Sequence, residues 1–401
     1  MGILPIDSLP VLRQRRSAKW RTYPDDVLAL TVAEMDVPLA EPVARVLHEA
    51  VGRSDTGYAA PTRDLAEAVS GYAWRSWGWR IDPDHVRTVA DVGMGIVEVL
   101  RRVVGPGDRV VISPPVYEPF TWWTAEVGAQ VVEAPLAEEP SGWRLDLDAL
   151  ERAFAAGASA YLLCNPHNPV GLVHPREDLV ALAGLAGRYG VHVLADEIHA
   201  PLVLPGAEFV PFLSVSDEAR RWGFSFHSAS KGWNLAGLKA ATVITADPGP
   251  KRYVDRLSPH SLYRTGHLGV LATVAAFNEG EPWLADTQKL LDHNRRLLGE
   301  LLAELLPAAR YRQPESSFLA WLDLRALGWG DDPTQRILDT ARVALNAGLR
   351  YGASGSGHVR LNFGCSPATL TEAVTRVAEV DARFVDTVVP EGHAGGQARE
   401  P

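Results

Sequence analysis

At 401 residues the chain exceeds the roughly 250–300 at which one hydrophobic core stops growing, so two packed units are expected. A composition of 46% hydrophobic and 22% charged residues excludes the disordered and fibrous classes, and a net charge of -10 argues against nucleic acid, which needs a basic face. Two cysteines, Cys164 and Cys365, are too few for a disulfide framework or a four-thiolate metal site, and with no signal-like start and no apolar run of about 18 residues, the expected setting is a reducing cytoplasm, without metal and off the membrane.

Residues 1–38 are rich in Arg, Pro and Asp with little periodicity, and read as an extended arm that ends in Ala33-Glu34-Met35-Asp36 and crosses another surface. Apolar spacing predicts a helix over 38–51 stopped by Gly52, a turn at 57–61, and a helix from the cap Thr62 to about 77, with Trp74, Trp77 and Trp79 in the core. From 86 onward, short apolar runs alternate with helical stretches, the pattern of an open α/β sheet. Seven strands are predicted at 86–89, 109–112, 130–133, 160–163, 191–195, 222–226 and 240–245, with helices at 95–104, 119–127, 147–156 and 175–189. A long amphipathic helix over 281–306 leads to a smaller α/β unit with strands 318–323 and 359–363 and helices 334–347 and 367–384. The division expected is an arm and part of the smaller unit over 1–50, a large unit over 51–284, the smaller unit over 285–389, and a frayed tail over 390–401.

In an open α/β sheet the chemistry gathers at the carboxyl ends of the strands. There Lys231 stands between Ser230 and Gly232, after Ser228 and Ala229, with no acidic neighbour in sequence. A lysine with a reference value of about 10.4 acts near neutrality only when desolvated, set among cations or bound as a Schiff base; taken alone it is equally a surface lysine at a strand end. Gly93-Met94-Gly95 follows the first strand and opens a helix, so its N–H groups point at an anion or simply form a tight turn. Tyr117, in Pro114-Pro115-Val116-Tyr117, is either core or a wall for a flat ring. Asn165-Pro166-His167-Asn168-Pro169-Val170-Gly171 is more specific, with the Asn168 amide offered to a phenolic oxygen. Asp196, at the end of an apolar strand in Asp196-Glu197-Ile198-His199, needs a cationic partner to stay charged.

Together, in this order, the glycine turn, Tyr117, the Asn165–Gly171 heptad, Asp196 and Ser-Ala-Ser-Lys231 resemble the fold-type I pyridoxal phosphate enzymes of the class I/II aminotransferase family over nearly the whole chain. Ala33-Glu34-Met35-Asp36, the Pro-Pro-Val-Tyr turn, His167 and His199 resemble the cystathionine β-lyase or MalY/PatB-like branch, His199 standing where ordinary aminotransferases usually carry a tyrosine. The resemblance implies a large domain with a mostly parallel seven-stranded sheet, a smaller α/β domain, and pyridoxal 5'-phosphate as cofactor. By it, Lys231 holds the cofactor as a Schiff base and acts as base, Asp196 holds the pyridinium, Asn168 and His199 face the phenolic oxygen, and Tyr117 stacks on the ring. Gly93, Met94, Gly95, Ser228 and Ser230 serve the phosphate. Lys239 stands where many relatives carry an arginine for it, and Tyr58 reaches the phosphate of a second subunit, which implies a homodimer. Arg360 grips the substrate carboxylate, with Asp36 and Tyr117 also at the substrate. Trp122, Trp123 and the 263–267 loop are open candidates for the rest of the pocket. The activity implied is β-elimination from cystathionine or another S-substituted L-cysteine; transamination, another reaction on an S-cysteinyl conjugate, and a non-catalytic cofactor-binding regulator are the competing readings.

Overall fold

The computed structural model describes residues 4–140 and 142–381. Its larger sheet has seven strands, β1 (Val86–Val89), β2 (Arg109–Ile112), β3 (Gln130–Glu133), β4 (Ala158–Cys164), β5 (His192–Asp196), β6 (Gly223–His227) and β7 (Ala241–Ile244), in the order β1-β7-β6-β5-β4-β2-β3. Strand β7 runs antiparallel to both neighbours and every other pairing is parallel. The central strands β4, β5 and β6 are buried almost end to end, because helices cover both faces of a parallel sheet. All seven predicted strands are present, with ends shifted by no more than two residues.

Register follows side-chain alternation. Cys164 pairs with Asp196 and Asp196 with Phe226, so three neighbouring strands finish level and deliver their following loops to one edge. The helix Val92–Val103 is anchored beneath that edge. Its apolar face, Val92, Ile96, Val99 and Leu100, lies in one apolar cluster with Val89, Leu162, Phe224 and Val243, each such burial contributing about 1.5–3 kcal/mol. Gly95 is needed for this close approach, since a Cβ there would meet Val89, Phe226 and Val243 at 3.1–3.2 Å.

A second sheet is wholly antiparallel: β8 (Arg310–Tyr311), β9 (Leu319–Asp323), β10 (Asn346–Ala347) and β11 (His358–Asn362), in the order β8-β9-β11-β10. The 25-residue helix Glu281–Leu305 precedes it, as expected. The predicted helix over 334–347 is corrected: it ends at Ala341, where Arg342 turns left-handed (φ 55°) with its guanidinium on Asp26, and Val343–Ala344 then pairs with Leu28–Ala29. Thr62 is not the cap of the next helix; Arg63 holds that position and the helix runs Asp64–Trp77. Gly52 closes the helix Glu41–Gly52 as its last residue rather than lying beyond it. Of the three tryptophans, Trp79 is buried and Trp77 packs on His227, while Trp74 lies exposed beneath Arg80. The last helix is Pro367–Ala378, with Glu379 as its cap, shorter than predicted; positions 382–384 of the predicted extension and the predicted tail lie outside the described residues.

The arm is also corrected. It forms two single-turn helices, Leu9–Leu12 and Ala18–Arg21, and the short strand, and it folds onto its own chain. Its fixing point is an ion pair with almost no solvent contact, Lys19 Nζ to Asp36 Oδ1 at 2.6 Å, with side-chain exposures of 1% and 2%. Removing one member of such a pair strands the other, whereas removing both leaves an apolar gap. Lys19→Met is therefore expected to lower unfolding free energy by about 3–5 kcal/mol. In urea denaturation the double variant Lys19→Met/Asp36→Leu should recover most of that loss, and a single variant as stable as the wild type would show that the pair does not anchor the arm.

Candidate active site

A cavity of about 300 Å³ opens at the level ends of β4, β5 and β6, closed on one side by the start of the 92–103 helix and on another by Ala33. Gly93, Met94, Tyr117, Asn168, Asp196, His199, Ser228, Ser230, Lys231 and Lys239 line it, together with Asp91, Trp123 and Cys164.

Lys231 sits in the single-turn helix Ala229–Gly232, which begins as β6 ends and is capped by the Ser228 hydroxyl on Ser230 N–H. Its Nζ donates to the Ala33 carbonyl at 2.8 Å. Burial, reinforced by the charge of Arg360, brings its amine down to about 8, within reach of neutral chemistry. Asp196 ends β5 with 4% exposure; burial raises its carboxyl to about 7, opposed by the Ile198 N–H at 3.2 Å and by Lys231. His199 is held neutral, down to about 3, by burial and then by the Lys231 and Arg360 charges, and its Nδ1 has no hydrogen-bond partner among the described residues. Tyr117, its phenol pushed up to about 12 by burial, packs edge-on to Phe120 and Trp123.

Behind the strand ends, the Glu197 carboxylate accepts from Asn165 Nδ2 at 3.1 Å, from Phe212 N–H at 2.8 Å and from the Ser225 hydroxyl, and lies 3.1 Å from His227 Nε2. It joins the ends of β4, β5 and β6 and so fixes the loops bearing Asn168, Asp196 and Lys231 relative to one another.

Arg360, on β11, is 4% exposed and meets the cavity through Asn168. It donates to Asn168 Oδ1 at 3.2 Å, Thr31 O at 2.9 Å and Asn346 Oδ1 at 3.0 Å, and its Nε has no partner among the described residues. All three acceptors are neutral. Because Asn168 Oδ1 is held by Arg360, its Nδ2 is the end left for the cavity.

At the helix start the donors divide unevenly. Gly95 N–H bonds to Asp91 O at 2.9 Å and does not line the cavity, which corrects its expected part in anion binding. Met94 N–H is engaged by Asp91 Oδ1 at 2.8 Å, and the Ser228 hydroxyl donates to Ala240 O at 2.7 Å. Gly93 is a steric requirement, since a Cβ there would fall 2.5 Å from the Trp123 ring. Lys239 faces the same end and pairs with Asp91 at 3.1 Å.

One further expectation fails within the chain: Asp36 is closed off by Lys19 and cannot meet a substrate. Tyr58, expected at a second subunit's site, is 78% exposed and edge-on to Tyr263 at 5.6 Å. Trp122 is also exposed, so of the two neighbouring tryptophans it is Trp123 that lines the pocket, beside Tyr117. Sequence reasoning did not single out Asp91, Asn234, Asn346 or the Ala33 carbonyl. Asp91 ahead of a helix carried a cap signal, whereas Asn346 lay inside the misread helix.

The lowered Lys231 value has a direct consequence. Below about pH 8 its amine is protonated and inert, and above it the neutral form dominates. Acylation of Lys231 in the unliganded protein, followed by peptide mass spectrometry from pH 6 to 10, should rise about tenfold per pH unit and level off near 8. A rise continuing to above 10 would place the amine in water.

The pattern of the family described as aminotransferase class I and II matches residues 25–377. A chain from Mycobacterium leprae (strain TN), which carries the provisional name cystathionine beta-lyase, is 43% identical over 406 residues, spanning 95% of this chain and 99% of its own. Cystathionine beta-lyase PatB from Bacillus subtilis (strain 168) is 33% identical, over 88% of this chain and 92% of its own. Among solved structures, cystalysin from Treponema denticola, which contains a pyridoxal 5'-phosphate cofactor, superposes with a TM-score of 0.87 at 25% identity, over 92% and 96% of the two chains. With the family pattern extending from the arm to the last described helix, the chain belongs to the class I and II aminotransferase family.

Proposed function

We propose that the chain is a pyridoxal 5'-phosphate-dependent carbon–sulfur β-lyase, converting cystathionine or another S-substituted L-cysteine to thiol, pyruvate and ammonia. The observation that carries this reading is the convergence of Lys231, Asp196 and Asn168 on one cavity at adjacent strand ends. The relatives named cystathionine beta-lyase support the choice of β-elimination.

The residues fit the cofactor by their chemistry. Among the described residues, Asp196 is a buried carboxylate with no hydrogen-bonded cation, the partner a protonated ring nitrogen provides; such a cation holds the carboxylate ionised against the burial that otherwise raises it. Asn168 presents its amide donor for a phenolic oxygen, neutral His199 stands beside it, and Tyr117 offers an aromatic wall. Ser230, the helix start at Gly93 and Met94, and Lys239 form an end suited to an anionic arm. Bound there, the cofactor supplies an electron sink for the charge left at Cα.

Lys231 is the residue that would hold the cofactor covalently, and its amine, brought toward neutrality by burial, is placed to take the Cα proton. Arg360, with neutral acceptors alone, meets the substrate carboxylate through its planar fork. Fixing that carboxylate orients the Cα–H toward Lys231 and the Cβ–S bond for departure. A homodimer belongs to this reading: Tyr58 and Tyr263 form an exposed aromatic pair, and Tyr58 then serves the phosphate end of a second subunit. So does a cytoplasmic setting, in keeping with two free thiols. The proposed division is a large cofactor-binding domain and a smaller C-terminal one, joined by the 281–305 helix.

Incubation with L-cystathionine or S-alkyl cysteines, without an oxoacid acceptor, should release pyruvate and free thiol. Conversion of alanine or glutamate to its oxoacid, with no thiol from cystathionine, would transfer the assignment to an aminotransferase. Lys231→Ala should abolish turnover and covalent cofactor attachment in a folded protein. Asp196→Asn should retain cofactor yet lose about 100–1,000-fold in rate, because a neutral amide cannot balance the ring charge; near-normal rates would remove Asp196 from the mechanism.

A further inference from the structure

The phosphate end of the cavity holds a carboxylate. Asp91 accepts from Met94 N–H through Oδ1 at 2.8 Å and from Lys239 Nζ through Oδ2 at 3.1 Å. One side chain thus occupies both kinds of donor that an incoming phosphate would use, the helix-start N–H and the lysine ammonium. Gly95 N–H and the Ser228 hydroxyl are engaged elsewhere, so Asp91 holds a large share of what remains.

The arrangement is built to exchange partners. Lys239 has a fixed base: its backbone is left-handed (φ 60°) and its carbonyl accepts from Gly266 N–H at 2.9 Å. A Cβ at Gly266 would strike Leu238 O at 2.3 Å, which keeps that loop tight. The charged ends remain wet, with side-chain exposures of 56% for Lys239 and 37% for Asp91, and exposed pairs of this kind contribute little to stability. Nothing in their burial commits Lys239 to Asp91.

Resting on the cofactor assignment above, we propose that Asp91 is an internal competitor for the cofactor's phosphate. It stands in for the anion when the site is free, and it weakens the hold on a phosphate ester by repelling it and by sharing Lys239. The carboxylate thereby tempers the hold on the anionic arm while leaving the ring's contacts with Asp196 and Asn168 unaffected.

Asp91→Asn separates this role from helix capping, because asparagine caps as well as aspartate but carries no charge. Equilibrium titration of the cofactor-free protein, followed by absorbance and tryptophan fluorescence, would compare pyridoxal 5'-phosphate with pyridoxal. Asp91→Asn should bind the phosphate ester about fivefold more tightly, on the scale of an exposed charge interaction, and pyridoxal with unchanged affinity. Inorganic phosphate alone, read as a rise in Tm, isolates the anion end from the cofactor assignment, and the rise should be larger in the variant. Equal or weaker binding of the phosphate ester by Asp91→Asn, or equal tightening toward pyridoxal, overturns the proposal. If the wild type binds neither pyridoxal compound, the cofactor assignment itself fails, and the phosphate Tm comparison still decides whether Asp91 opposes an anion there.

Discussion

Arg360 brings a full positive charge into the protein and donates to the neutral oxygens of Asn168, Thr31 and Asn346, with the Tyr351 ring 5.2 Å from its guanidinium, while burial lowers its affinity for the proton. A guanidinium cannot shed that charge in a protein, so the cost of desolvation stands until an anion arrives. Much else in the site follows from this. The charge of Arg360 helps hold Lys231 down to about 8 and His199 down to about 3, and its grip on Asn168 decides which end of that amide faces the cavity. An anionic substrate group at Arg360 would relieve the desolvated charge and favour the protonated form of Lys231, tying substrate binding to proton uptake at the base.

The arm that sequence reading set apart belongs to the same arrangement. Arg360 holds Thr31 O, Asn362 Nδ2 holds the Val32 and Glu34 carbonyls at 2.6 and 2.8 Å, and Asn234 closes on Met35 from both N–H and C=O at 2.9 and 2.8 Å. Asp36, locked by Lys19, finishes the segment. These bonds come from both sheets' neighbourhoods, and between them they aim the Ala33 carbonyl at Lys231 Nζ. An irregular stretch this deep in the protein satisfies its backbone through side-chain amides, supplied here by Asn234 and Asn362 from other elements.

What was legible in the sequence was whatever depended on neighbours along the chain. Strands β1 to β7 announced themselves as apolar runs of strand length, and Asp196 and Lys231 stood at their ends, where an open sheet gathers chemistry. What was illegible depended on distant partners. Asp36 is acidic and lies beside the site, yet Lys19 consumes its charge; Val343–Ala344 has a helix-compatible pattern but finds a strand partner at Leu28–Ala29. A helical period and a buried edge strand look alike over five residues, and the deciding feature was the left-handed turn at Arg342, stabilised by Asp26, 316 positions away in sequence. Tyr58 illustrates a third limit, since its position on the exposed surface of this chain has meaning only if a second subunit covers it.

A cavity with Lys231, Asp196 and Arg360 in low-dielectric surroundings is costly for the chain alone, and the rest of the structure bears that cost by rigidity. The Glu197 cluster joins three strand ends, the 92–103 helix is packed against β1, β4, β5, β6 and β7, and the arm is clamped at several successive residues. Charges held apart in this way cannot relax toward one another, so their interaction energy remains available to a ligand that complements all three at once. A partial complement, carrying only a carboxylate or only an aromatic cation, would meet one desolvated charge and leave the others as they were. The site therefore favours the simultaneous presence of ring and amino acid, because electrostatic preorganisation concentrates binding where charge develops during reaction rather than spreading it over the cavity wall.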